Sequence, residues 1–291
     1  MVLEALVLSV AGGYARVRVG GDVLLCQFRG RLRRSGILPG DRVVVSFEVP
    51  GQETVERVLP RGNVLKRPAI ANVDQALVVF TASEPPLNLP LVDRITVLAT
   101  HAGVGVILCL NKVDLIDPGE ALRLGQVYQP SGFPFFATSA LIGDGVEGLR
   151  PVLEGRVTVM AGQSGVGKSR LLNSLDPSLS LATGALSRKI SRGKHITRRV
   201  ELLQVQGGGI VADAPGFSRL DLEGMSPGEL GDCYPEIRSL SAGCRFTGCH
   251  HQKEPGCAVK ESIGSGISLE RYSSYCDLFA EILEWEKRRY E

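Results

Sequence analysis

The chain has 291 residues, 44% hydrophobic and 22% charged, an ordinary soluble composition with length for two or three domains and buried cores. A formal net charge of only +2 excludes any case for a polyanionic partner from the total, so such a case must rest on where the charges sit. No apolar run reaches the roughly 18 residues that span a bilayer, and MVLEALVLSV carries Glu4 without the basic flank of a secretory signal, so a cytoplasmic chain with no membrane partner is expected.

Residues 2–58 read as all-β. LEALVLSV, YARVRV, VLLCQF, RVVVSFEV and TVERVL are short runs rich in Val and Leu, split by AGG, GGD and LPGD. Five strands in so short a stretch fit a small barrel, and the OB-fold is the commonest five-stranded choice. Residues 1–67 hold eleven Lys and Arg against six Asp and Glu, and Arg29, Arg31, Arg33 and Arg34 crowd one loop. That loop is either merely solvated or part of a nucleic-acid surface. With few aromatics for stacking (Tyr14, Phe28, Phe47), backbone contacts are expected over base reading.

RGNVLKRP, 61–68, reads as a linker. After it, QALVVFTA and GVGVILCLNKVD are continuous apolar runs, as for strands buried on both faces of a parallel sheet. LPLVDRITVLATHAG between them has helical spacing. FPFFATSA, RVTVMAGQSG and GGIVADAPG add three strand-to-loop transitions, so the middle of the chain reads as an α/β sheet.

GQSGVGKS, 162–169, matches the phosphate-loop pattern in full, after an apolar strand and before the helical RLLNSL. Its glycines let the backbone wrap phosphates, and the amides and helix N-terminus supply partial positive charge. Gly162, Gln163, Ser164, Gly165, Val166, Gly167, Lys168, Ser169 and Arg170 are the expected nucleotide contacts. Lys168 is expected to reach the β and γ phosphates, and Ser169 to ligate Mg²⁺. Asp213 opens DAPG, a carboxylate placed for the Mg²⁺ shell, with the Gly216 amide facing the γ-phosphate. NKVD, 111–114, is the expected base reader. Asp114 accepts from guanine N1–H and N2–H₂, Asn111 bonds N7 and braces the loops, and the Lys112 stem covers the ring. A carboxylate left unpaired is costly, so a wrong base is rejected. Ser139 and Ala140, in TSA, are expected to bracket the guanine.

In ordinary small GTPases the base reader follows the phosphate loop; here it precedes it by about fifty residues. Ligand loops of such a sheet all leave the carboxyl edge of the strands, wherever the chain is cut. The order is therefore that of a circular permutation. With a leading barrel and a trailing Cys/His cluster, the chain resembles the RsgA (YjeQ) family of circularly permuted, small-ribosomal-subunit-dependent GTPases. The resemblance implies hydrolysis of GTP to GDP, stimulated by the small subunit and serving its late maturation, with that subunit and its rRNA as partners.

SRKISRGKHITRR, 187–199, has six Lys or Arg and no acid. It resembles the family's mobile switch, with Ile196 where an R-G-x-H-T-T stretch has its first Thr. Thr197 is then the candidate ligand for Mg²⁺ and γ-phosphate. Where other GTPases place a water-orienting Gln after D-x-x-G, this chain has Phe217. His195 is the candidate to order the water, or alternatively contacts an rRNA phosphate. Expected catalytic residues are therefore His195, Thr197 and Lys168. The competing class is an RNA-binding module that holds GTP only as a structural ligand.

Of seven cysteines, four lie between Cys233 and Cys257, which in a reducing compartment points to metal or buried thiols. Cys244, Cys249, His251 and Cys257, spaced C-x4-C-x-H-x5-C, make a closed, structural Zn²⁺ set. His250 is the alternative ligand; the family's spacing favours His251. Cys26, Cys109, Cys233 and Cys276 read as buried thiols. The expected architecture is an OB-fold domain (1–67), a circularly permuted P-loop GTPase domain (68–228) and a helical zinc-binding domain (229–291), monomeric, using GTP/GDP, Mg²⁺ and one Zn²⁺.

Overall fold

The computed structural model describes residues 1–28, 32, 36–48, 51–66, 68–181, 200–213, 222 and 224–290. They group into two compact units, one of Met1–Ala76, Val146–Ala161 and Lys168–Phe217, the other of Leu77–Gly145, Gly162–Gly167 and Ser218–Glu291. The strands are β1 (Val2–Ala11), β2 (Tyr14–Val19), β3 (Asp22–Phe28), β4 (Arg42–Ser46), β5 (Thr54–Val58), β6 (Val64–Lys66), β7 (Ala69–Ala71), β8 (Gln75–Phe80), β9 (Gly105–Asn111), β10 (Phe135–Thr138), β11 (Val157–Ala161), β12 (Leu202–Gln204) and β13 (Ile210–Asp213). The helices are α1 (Leu89–His101), α2 (Pro118–Tyr128), α3 (Arg150–Leu153), α4 (Lys168–Leu175), α5 (Pro227–Asp232), α6 (Pro235–Ser241), α7 (Ala258–Glu261) and α8 (Leu269–Tyr290).

In the first unit, five strands close a barrel in the order β1-β2-β3-β5-β4. Closure comes from antiparallel β1–β4 and parallel β3–β5 pairing, which removes sheet edges as an OB barrel does. Alternation sets the faces: Ala15 and Val17 of β2 point into a core with Val7, Cys26, Val43 and Val45, while Arg16 points out. The four crowded arginines lie outside the described residues.

The stretch 61–68, whose composition suggests a linker, is instead tied down and enters a hairpin of β6 and β7. Its polar residues, and Asn72 beyond it, find partners within the fold. Arg61 grips buried Asp41 through Nε and Nη2 at 2.6 and 2.8 Å. Asn72 donates to the Gly40 carbonyl at 2.9 Å and accepts from the Gly62 amide at 2.8 Å. Asn63 pairs both ways with Val73. Sequence composition cannot tell such Asn from loop Asn, because only the fold supplies the partner. The Asp74 amide donates to Val157 at 2.9 Å, and Gln75 reaches Thr158 at 3.0 Å. These bonds tie the chain before Leu77 to β11 within the first unit. Strands β11, β13 and β12 follow in that order, β11 parallel and β12 antiparallel to β13.

In the second unit, β10, β9 and β8 run side by side, with β9 and β10 parallel. All six residues of β8 are buried, as a strand covered on both faces requires. Asn88 caps α1 through the Leu91 amide. The C-terminal helices pack on Tyr234, Ile237, Tyr275, Leu278 and Phe279, joined by Val97 of α1. Ser226 and Glu229 form a capping box on α5. Cys26, Cys109 and Cys233 are buried as expected, whereas Cys276 is half-exposed, its Sγ accepting from Gln252. Among the described residues no helix is long and apolar enough to cross a membrane.

Candidate functional site

The base-reader loop leaves β9 at Asn111, whose side chain is 1% exposed. Its Nδ2 donates to the Val166 carbonyl of the phosphate loop at 2.8 Å. Its Oδ1 accepts from the Ala140 amide at 3.0 Å and from the Thr138 hydroxyl at 3.2 Å. One buried amide thus ties NKVD, the phosphate loop and the end of β10 together. Ser139 donates its hydroxyl to Asp114 Oδ1, fixing the carboxylate's rotation. Lys112 adopts a left-handed backbone and donates to the Glu84 carbonyl at 2.6 Å. Sequence reasoning misses Thr138 and Glu84: Thr138 is a single residue upstream of the SA pair, and a main-chain acceptor leaves no side-chain signal.

The phosphate loop leaves β11 at Gly162. A Cβ there, at φ +135°, would lie 2.0 Å from the Val79 carbonyl oxygen; at Gly167, φ +96°, it would lie 2.4 Å from Asn111 Nδ2. Both positions therefore require glycine, and the backbone is held close to the neighbouring loops. Gln163 is half-buried and Ser164 exposed. Lys168 opens α4, Ser169 is buried in its first turn and Arg170 is exposed. Asp213 ends β13 opposite Met160 of β11, so the two parallel strands end at nearly the same level. His195, Thr197, Gly216 and Phe217 lie outside the described residues.

In the C-terminal helical region, Cys244, Cys249, His251 and Cys257 bring one ligand atom each to within 4.8 Å of one another. Tetrahedral zinc, with Zn–S about 2.3 Å and Zn–N about 2.0 Å, separates sulfurs by about 3.8 Å and sulfur from nitrogen by about 3.5 Å. Here Cys244 and Cys257 sulfurs are 4.0 Å apart, and His251 Nδ1 is 3.6 and 3.4 Å from them. The donor set fits such an ion. His250 points elsewhere, its ring 5.4 Å from that of Phe279. Burial lowers the His251 pKa and pushes Cys249 up to about 12. The imidazole is therefore ready to ligate, while a metal must displace protons from thiols.

Glu254 builds the loop around His251, accepting the amides of His250 at 2.8 Å, Gln252 at 2.8 Å and Lys253 at 3.0 Å. Burial pushes its pKa up, but these bonds outweigh burial and hold it at about 2, against an ordinary 4.5. A depressed folded pKa stabilises fully above the unfolded value and loses its effect as pH falls through the folded one. Metal-free wild type is therefore expected to outlast Glu254→Gln in chemical unfolding near neutral pH. The gap should close as pH drops from 4.5 toward 2. A gap that does not change over that window would mean the carboxylate's charge is not what holds the loop.

A sequence model of the RsgA GTPase family matches residues 58–223. The protein of Moorella thermoacetica named Small ribosomal subunit biogenesis GTPase RsgA is 41% identical over 288 residues, covering 98% of this chain and 99% of that one. Its namesake in Bacillus velezensis is 43% identical over 273 residues, covering 91% and 92%. YjeQ from Thermotoga maritima superposes with a TM-score of 0.84 at 34% identity, over 97% of this chain and 99% of that one. YloQ, described as a circularly permuted GTPase, gives 0.82 at 34% identity, over 98% and 96%. The likeness runs along nearly the whole length, and the chain, a GTP hydrolase, belongs to the RsgA GTPase family.

Proposed function

We propose that this GTPase works in ribosome biogenesis, hydrolysing GTP to GDP when the small ribosomal subunit stimulates it, late in that subunit's maturation. The observation that carries the nucleotide half of this reading is the Asn111 brace, which joins base-reader and phosphate loops in one pre-organised set. The relatives' names, small ribosomal subunit biogenesis GTPase, support the other half.

In this reading Asp114, Ser139 and Ala140 select guanine, and Asn111 and Lys112 hold the loops around it. The backbone from Gly162 through Gly167, with Gln163, Ser164 and Val166 between, cradles the phosphates, and Lys168 and Arg170 add positive charge. Gly216 donates its amide to the γ-phosphate. Ser169, Asp213 and Thr197 hold Mg²⁺, whose part is to neutralise charge on the phosphates. With Phe217 where a water-orienting Gln would stand, His195 accepts from the attacking water. Cys244, Cys249, His251 and Cys257 hold one structural Zn²⁺. The domains run 1–67, 68–228 and 229–291, the barrel preceding and the zinc domain following the GTPase in the chain, and both meeting rRNA. The chain acts as a cytoplasmic monomer.

The test is GTP turnover alone, with purified small subunits and with large subunits. Selective stimulation by small subunits of about tenfold or more, some 1.4 kcal/mol of barrier, is expected. Slow turnover unmoved by either subunit, despite GTP binding, would instead favour an RNA-binding module that holds GTP as a structural ligand.

A further inference from the structure

The Cys/His cluster has a neighbour whose chemistry decides how the imidazole presents itself. Ser241 closes α6. Its Oγ lies 2.7 Å from the Ile237 carbonyl oxygen and 3.1 Å from His251 Nε2. A hydroxyl has one proton to give, and a carbonyl can only accept. The shorter contact takes that proton. Both contacts are satisfied together only if Ser241 Oγ accepts from an Nε2–H of His251. The imidazole proton is then on Nε2, and the lone pair is on Nδ1, the atom that faces Cys244 and Cys257 at 3.6 and 3.4 Å.

The rest of the loop leaves the ring little freedom to do otherwise. His251 has φ +58°, a conformation uncommon for a residue with a side chain. Its carbonyl accepts from the Tyr272 hydroxyl at 2.7 Å, and the His250 carbonyl from Tyr275 at 2.9 Å. Both tyrosines stand on α8. Glu254 collects the amides on the other side of the loop. The backbone is thus fixed from two directions, which leaves ring rotation and tautomer as the remaining variables, and Ser241 sets both.

We propose that Ser241 is a positioning residue for the metal: it selects the Nε2-protonated tautomer of His251 and so dedicates Nδ1 to zinc. The assignment rests on the reading of the cluster as a zinc site. Hydrogen-bond partners of ligating histidines commonly contribute 10- to 100-fold in metal affinity. Ser241→Ala is therefore expected to weaken Zn²⁺ binding by about that factor in competition with a chromogenic chelator, and Ser241→Thr, which keeps the hydroxyl, to restore most of it.

A second measurement reads the tautomer directly. In full-length, zinc-loaded wild type labelled with ¹⁵N-histidine, His251 should show a metal-bound Nδ1 and a proton on Nε2 protected from solvent exchange. In Ser241→Ala that proton should exchange faster. Failure of wild type to bind zinc would overturn the zinc reading and this assignment with it. Zinc bound equally tightly by wild type and Ser241→Ala, or ligation through Nε2, would overturn the role of Ser241 alone.

Discussion

Asp114→Asn is expected to weaken GTP binding by about 10⁴-fold and to confer binding of xanthosine triphosphate. One carboxylate oxygen is already engaged: Ser139 donates its hydroxyl to Asp114 Oδ1, and the carbonyl oxygen of an asparagine accepts that same bond. The substitution then leaves the loop in place and turns an N–H₂ group toward the base. Guanine presents N1–H and N2–H₂ at that edge, so donors face donors, and polar groups that a bound base would take out of water lose their partners. Xanthine carries a carbonyl at C2 and accepts from the new amide. Affinities for both nucleotides, measured by displacement of a fluorescent analogue, check the result. Equal loss for GTP and xanthosine triphosphate would mean the loop had collapsed. Retained GTP affinity would remove Asp114 from base recognition. Asn111→Ala gives a contrasting expectation, because its amide bonds to Val166, Thr138 and Ala140. Losing that brace disorders the phosphate and base loops together and offers no nucleotide a new partner.

Features whose partners lie close in sequence, or whose pattern is periodic, are legible in the amino-acid sequence; those whose partners arrive only through folding are not. The phosphate loop is legible because its motif demands glycine by itself, and the fold supplies the reason: Gly162 meets β8 and Gly167 meets Asn111. The barrel is legible because period-two alternation alone sorts Ala15 and Val17 from Arg16. The cysteine spacing carries its own geometry. The hairpin of β6 and β7 is not legible, since Asn63 and Asn72 find their partners at Val73, Gly40 and Gly62 only once the chain has folded. The residues supporting the cluster are hidden for the same reason. Ser241, Glu254, Tyr272 and Tyr275 are common residue types whose function lies in a contact, and no spacing rule connects a helix-terminal serine to a histidine ten residues on. Arg271 is hidden most completely, because on a helix reading LERYSSYCDLF an arginine is expected at the surface.

Arg271→Met is expected to destabilise the protein by about 3–5 kcal/mol, the usual cost of removing one partner from a buried ion pair. Arg271 is fully buried on α8, and its carboxylate partners Asp93 of α1 and Glu236 of α6 are 1% and 3% exposed. The guanidinium donates to Asp93 Oδ1 and to Glu236 Oε1, each at 2.8 Å, and lies 4.4 Å from the ring centre of Tyr234. Methionine keeps the stem's packing but leaves two carboxylates out of water with no cation between them. The network is nonetheless imperfect: Asp93 Oδ2, Glu236 Oε2 and Arg271 Nη2 have no hydrogen-bond partner among the described residues. A half-satisfied polar network is worth less than an apolar core of the same shape. Replacing the whole group, Arg271→Met with Asp93→Leu, Glu236→Met and Tyr128→Phe, is therefore expected to recover most of the loss. Tyr128 is included because its hydroxyl donates to Asp93 at 2.9 Å and would otherwise be orphaned. Urea unfolding of the zinc-loaded chain measures both variants. Arg271→Met within about 1 kcal/mol of wild type would show that the pair is not dry enough to matter. A multiple variant no better than the single one would show that the charges, and not merely the filled volume, hold α1, α6 and α8 together. That distinction bears on function, because the same turn of α8 carries Tyr272 and Tyr275, whose hydroxyls hold the loop of the metal cluster. If Arg271 fixes that turn against α1, loosening it should also speed zinc loss to a chelator under conditions where the chain remains folded.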